Sequence, residues 1–234
     1  MAKSGINADT DTLRTGPEAL DRDGLVARAQ TTLFQDPGSI AFDFVTGRPP
    51  VGPSDFELNP DMWAEVDLSK PPREAAVLIP IVATDPLTVI LTTRSAHLPS
   101  HAGQIAFPGG KIEASDKGPL DAALRETEEE IGLDRSYVRP IGYLDGYRTR
   151  TGFRITPVVG LVEPGFSLVA DPREVDDMFE VPFAFLMNEV NHKVESKVWN
   201  NRSRSFYAMP YNDRYIWGAT AGMLKTLHRR LTAR

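Results

Sequence analysis

The chain has 234 residues, 41% of them apolar, 9% aromatic and 25% charged, with no cysteine. That size suits one enlarged domain or a core with an extension, and the composition excludes a disordered, collagen-like or coiled-coil chain. The absence of thiols excludes disulfides, thiol nucleophiles and thiolate-bound zinc or iron–sulfur clusters, and 26 basic against 32 acidic residues, a net charge of −6, disfavours a broad nucleic-acid footprint.

Residues 1–70 read as an N-terminal extension, rich in Asp, Pro and Gly. Its one helical pattern lies at 21–34, where Leu25, Val26, Ala29, Leu33 and Phe34 recur at helical spacing, the mark of a helix docked on a core. The N-terminus has no apolar leader, the chain ends Thr232-Ala233-Arg234, and the apolar run 75–83, broken by Pro80, falls far short of the roughly 20 residues that span a bilayer. A cytoplasmic protein without membrane contact is expected.

A core domain is expected over 71–234. Residues 74–82 and 87–93 read as strands around an Asp85-Pro86 turn, and Phe107-Pro108-Gly109-Gly110 reads as a turn. Residues 120–131 read as a helix stopped by Gly132. Strands follow at 140–144, 155–162, 192–198 and 205–209, then a closing helix with Trp217, Thr220, Leu224, Leu227 and Leu231 on one face. Strands and helices mix without doubly wound alternation, which favours an α+β class.

The chemical signal is Arg125-Glu126-Thr127-Glu128-Glu129-Glu130. On a helix, Glu126, Glu129 and Glu130 share adjoining parts of one surface, Glu128 points elsewhere, and Leu124, Thr127 and Ile131 form a stripe that can bury. Like charges at this spacing cost a helix roughly 0.2–0.5 kcal/mol per pair. A divalent cation would convert that repulsion into coordination, and hard oxygen ligands suit Mg²⁺ or Mn²⁺. A solvated acidic face is the competing reading, with Arg125 offsetting part of its cost through Glu129.

Gly110, an acidic loop, then Arg125-Glu126-Thr127-Glu128-Glu129-Glu130-Ile131-Gly132-Leu133 closely resembles the Nudix box. Three departures stand out: Asp116 fills the first Glu position, one extra residue precedes Arg125, and Thr127 fills an apolar slot. The resemblance implies the Nudix fold, an α/β/α sandwich around a mixed sheet, and metal-dependent hydrolysis of a nucleoside diphosphate linked to another group. Leu91-Thr92-Thr93-Arg94-Ser95 and His101-Ala102-Gly103-Gln104-Ile105-Ala106-Phe107-Pro108-Gly109-Gly110 further resemble the segment preceding the box in coenzyme A diphosphatases, except that Pro99 stands where that pattern often has Arg. Residues 151–160, Glu174-Val175 with Val181-Pro182, and 216–221 are similar to that subfamily too.

The resemblance implies Glu126, Glu129 and Glu130 as ligands of Mg²⁺ or Mn²⁺, Arg125 as the residue orienting a glutamate, and Glu174 or a helix glutamate as general base. Arg94, Gly103, Gln104, Gly109, Gly110 and Arg148 are the candidate substrate contacts, with Arg150 and Arg154 as further cations able to meet phosphates. His97 and His101 imply no zinc site. The implied substrate is a small nucleotide of the coenzyme A class, including acyl derivatives, cleaved to 4′-phosphopantetheine and 3′,5′-adenosine diphosphate. ADP-ribose or a dinucleotide cofactor is the alternative substrate, and a non-hydrolysing nucleotide sensor the alternative class. A homodimer stays open.

Overall fold

The computed structural model of the chain describes residues 16–40, 52–67, 69–199 and 201–233. Within the extension, helix α1 (Arg22–Thr32) starts where Asp21 caps it, its carboxylate accepting the Gly24 N–H at 2.8 Å. Leu25, Ala29 and Leu33 are buried, as the helical pattern requires, while Phe34 leaves the helix to bridge Tyr143. What was expected of residues 1–15 and 41–51 lies outside the described residues.

The core follows as β1 (Arg73–Val82), β2 (Thr88–Arg94), β3 (Ile105–Ala106), β4 (Gly109–Lys111), α2 (Pro119–Ile131), β5 (Val138–Tyr143), β6 (Tyr147–Arg148), β7 (Phe153–Val162), β8 (Val175–Pro182) and the short α3 (Phe183–Met187). The chain closes with β9 (Lys193–Trp199), β10 (Arg202–Tyr211), β11 (Arg214–Trp217) and α4 (Gly218–Thr232). The main sheet runs β3-β2-β1-β7-β5, with β8 also on β2, β4 on β1 and β6 on β7; β9, β10 and β11 form a separate antiparallel sheet. Among the named strands of the described residues only β1 and β7 pair in parallel, so the main sheet is mixed.

Both faces of that sheet are covered, which explains why β1 is buried along nearly its whole length. Val77, Ile79 and Ile81 pack on one side with Leu25 of α1 and Leu224 and Leu227 of α4. Ala76, Leu78 and Val82 pack on the other with Ala122, Ala123 and Ile131 of α2. The result is the expected α/β/α sandwich. Among the described residues no helix is long and apolar enough to cross a membrane.

Strands β1 and β2 pair only at Ile81–Val82 and Thr88–Val89, then separate. Where they part, β3 continues along β2 and β4 continues along β1, so residues 105–111 cross from one branch to the other. Gly109 and Gly110, expected in a turn, are therefore strand residues opposite Val77 and Ala76. Another expectation changes: Trp217 ends β11 and precedes α4 instead of lying on its face. In each case pairing with a distant strand overrides weak local signals.

Candidate active site at the fork of the sheet

The helix carrying the glutamates is bounded as its sequence requires. Pro119 opens α2 and Gly132 ends it in the left-handed region, φ 66°, donating to Glu128 O at 3.0 Å. Ala122, Ala123, Thr127 and Ile131 anchor it on the sheet. Thr127 tolerates the apolar slot because its hydroxyl donates to Ala123 O at 2.6 Å.

That seating carries Glu126 and Glu130 to the fork. Glu130 is 3% exposed, and its carboxylate accepts the Gly109 N–H at 3.2 Å. A side chain at Gly110 would collide with the Glu126 carboxylate, and one at Gly109, φ 148°, would enter the backbone of Ala76 and Val77. The two glycines are thus the space the carboxylates and β1 occupy.

Burial is the main cause of an unusual electrostatic state. It pushes the Glu130 carboxyl up to about 7, against the Gly109 N–H and Arg94, which lower it, while Glu174 and Glu126 raise it further. Burial likewise raises Glu126, opposed by Arg125 and assisted by Glu129 and Glu174. Glu130 receives little compensation: Arg94 Nη1 stands 3.7 Å from its Oε1, and Arg94 Nε is itself buried with no partner among the described residues.

Arg125 organises the rim. Its Nε and Nη2 meet the two oxygens of Asp116 at 2.9 and 3.0 Å, and Nη1 lies 3.1 Å from both Glu126 and Glu129. Sequence reasoning left Asp116 without a role; it clamps the guanidinium that orients the glutamates. Glu129 differs from its neighbours, with its side chain 56% exposed and turned to Arg125. Glu128 does point elsewhere, to Arg135 at 2.6 Å. Among the described residues no three acidic or histidine side chains form a ready metal cage. The acids gathered at the fork are Glu126 and Glu130, which both feel the charge of Glu174.

Glu174 reaches that position through backbone ties. Asp171 N–H donates to Glu130 O at 2.9 Å, Glu174 N–H to Asp171 O at 3.0 Å, and Glu174 O accepts from Ser95 N–H at 2.8 Å. The loop carrying it thereby satisfies a free carbonyl at the end of α2.

The remaining candidates fall into two groups. Gly103 and Gln104 close the loop after β2: Gly103 N–H donates to Arg94 O and Arg94 N–H to Gln104 O, at 3.0 and 2.9 Å. The Gln104 amide oxygen is engaged by His101 Nδ1 at 2.8 Å. Arg148, on β6, is 8% exposed, and its Nε and Nη1 have no hydrogen-bond partner among the described residues. Its neighbour Arg154 is committed to Glu74 at 2.7 Å.

The NUDIX domain family model matches residues 72–200. The Nudix hydrolase NudL of Photorhabdus laumondii is 38% identical over 164 residues, covering 70% of this chain and 88% of its own. NudL of Escherichia coli K12 is 39% identical over 155 residues, covering 66% and 81%. Both carry the description uncharacterized, so neither brings a substrate with it. Among solved structures, the NUDIX domain of Shewanella oneidensis NrtR, complexed with ADP ribose, aligns with 74% of this chain and 99% of its own at 18% identity and a TM-score of 0.45. A family match across more than half the chain, with Glu130 buried beside Gly109 and Glu126 half-buried against Gly110, makes this chain a member of the Nudix hydrolase family.

Proposed function

We propose that this Nudix hydrolase is a Mg²⁺- or Mn²⁺-dependent diphosphatase that cleaves coenzyme A, and its acyl derivatives, to 4′-phosphopantetheine and 3′,5′-adenosine diphosphate. The observation that carries the reading is Glu130, a carboxylate buried at the fork with one N–H and a distant guanidinium for company. Such a group is left under-compensated until a cation arrives. Glu126 and Glu130 would hold the ion, with Glu129 able to join by releasing Arg125. The donor set is all oxygen, which fits Mg²⁺ or Mn²⁺. Bound there, the ion supplies Lewis acidity at phosphate oxygens and acidifies a water.

The other residues take complementary parts. Arg125, clamped by Asp116, keeps the Glu126 oxygens oriented. Glu174 accepts the proton of the attacking water, and Glu174→Gln should lower kcat about 10²-fold or more, the usual contribution of a positioned base, with little change in KM; unchanged turnover removes it from the mechanism. Arg94 offsets charge beside Glu130, and Arg148 offers its unpaired fork to a phosphate.

The coenzyme A assignment is supported by the motif around Arg94-Ser95 and His101 to Gly110. A substrate panel tests it: metal-dependent release of phosphopantetheine from coenzyme A should exceed turnover of ADP-ribose at equal concentration. The reverse order would refute the substrate.

A further inference from the structure

The family match begins at residue 72, yet a piece of the extension pairs with β6, the strand that carries Arg148. Ser54 bridges Arg148 in parallel, Arg148 N–H donates to Pro53 O at 3.2 Å, and Asp55 N–H donates to Arg148 O at 3.0 Å. Both backbone polar groups of Arg148 are thus taken by the extension, while its other side is paired to Arg154.

The Asp55 carboxylate adds two further ties. One oxygen accepts the Tyr147 hydroxyl at 3.0 Å and the other the Arg150 N–H at 2.8 Å, so the residues before and two after Arg148 hang from one side chain. Asn59 secures the segment at its far end, exchanging bonds of 2.8 Å with Ser205 N–H and Ser205 O of β10. Desolvation raises the Asp55 carboxyl above its ordinary range despite these donors, and His101 lies within electrostatic reach of it.

What this frame holds is a cation without an anion. Arg148 is nine-tenths buried and its Nε and Nη1 have no partner among the described residues. The charges acting on it are the repulsive Arg154 and Glu74, already bonded to Arg154. Register places it on the catalytic face: Arg148, Arg154 and Glu74 lie abreast, two residues along from Ala76, whose partner is Gly110. Three strand intervals separate β6 from β4, about 14 Å at ~4.8 Å each, so Arg148 serves a group set apart from the bond broken beside Glu130.

We propose that residues 53–55 of the N-terminal extension belong to the substrate site, Asp55 acting as the positioning residue that holds Arg148 for a phosphate group remote from the scissile diphosphate. This rests on the nucleotide reading above, and makes Arg148 a binding residue and Asp55 one that acts through it. An unpaired planar fork suits a phosphate dianion, which it meets with two parallel bonds.

Calorimetric titration with adenosine 3′,5′-bisphosphate, and with adenosine 5′-monophosphate as control, tests the proposal without turnover. The wild-type protein should bind the bisphosphate about 10- to 100-fold more tightly, as charge-assisted bonds imply. Arg148→Ala should erase that difference, Asp55→Asn should shrink it, and the double variant should bind no worse than Arg148→Ala alone. Should Asp55→Asn not fold, Tyr147→Phe removes one tie to the same carboxylate and should shrink the difference in the same direction. Equal wild-type affinities, or an Asp55→Asn loss that adds in full to that of Arg148→Ala, would overturn the proposal. A chain that turns over ADP-ribose in preference to coenzyme A, yet keeps this coupling, would refute the substrate and leave the subsite standing.

Discussion

Glu130→Gln is expected to abolish turnover and stabilise the metal-free protein. In the proposed function Glu130 holds the catalytic ion, so removing its carboxylate should forfeit several kcal/mol of transition-state stabilisation, and ~4 kcal/mol corresponds to about a 10³-fold fall in kcat. The stability effect has the opposite sign. The Glu130 carboxyl moves from 4.5 to about 7 on folding, chiefly by desolvation, so the folded state takes up its proton more readily than the unfolded chain. Stability is therefore lost as pH rises from about 4.5 through about 7 and stays low above it. A rise of that size corresponds to a few kcal/mol, ~1.4 for each tenfold change in proton affinity, which glutamine would recover above pH 8 and not below pH 4. Urea unfolding of both proteins across pH, in chelator, measures it. An activity loss with no pH-dependent gain would mean that Glu130 is ionised without strain in the folded chain.

Arg125→Lys is expected to lower kcat/KM by about 10- to 100-fold and to weaken metal binding in parallel, the range seen when a partner that orients ligands is lost. Lysine keeps the charge but not the fork. It cannot bond both Asp116 oxygens while spanning Glu126 and Glu129, as the guanidinium does at 2.9–3.1 Å. Asp116→Ala should reproduce a large part of the loss, because it releases the fork without touching a glutamate. Steady-state kinetics at several Mg²⁺ concentrations separates the effects: a loss rescued by excess Mg²⁺ places Arg125 in ligand orientation, and a loss unaffected by Mg²⁺ places it elsewhere.

Much of this architecture was legible because its signals are local. The helix α2 announces itself through its buried stripe and Gly132, and α1 through the spacing of Leu25, Ala29 and Leu33. What escaped depends on partners far along the chain. Glycines have poor strand propensity, so Gly109 and Gly110 read as a turn, and only β1 beside them makes them a strand. Helical periodicity placed Glu129 with Glu126 and Glu130, but the two deeper acids face the sheet while Glu129 stays at the rim with Arg125. Asp116 and Asp55 were missed for the same reason: their roles are set by Arg125 and by the Tyr147–Arg150 segment, and nothing in a single acidic residue's immediate sequence reports such a partner.

The central claim is that Glu126 and Glu130 hold a divalent cation. Titration of Mn²⁺ into the protein at pH 7, in two buffers of different ionisation enthalpy, tests it most directly. Binding should release a substantial fraction of a proton, because Glu130 must ionise to ligate, and Glu126→Gln/Glu130→Gln should lose both the binding and the release. Equal Mn²⁺ affinity in wild type and double variant, with no proton released by either, would contradict the account.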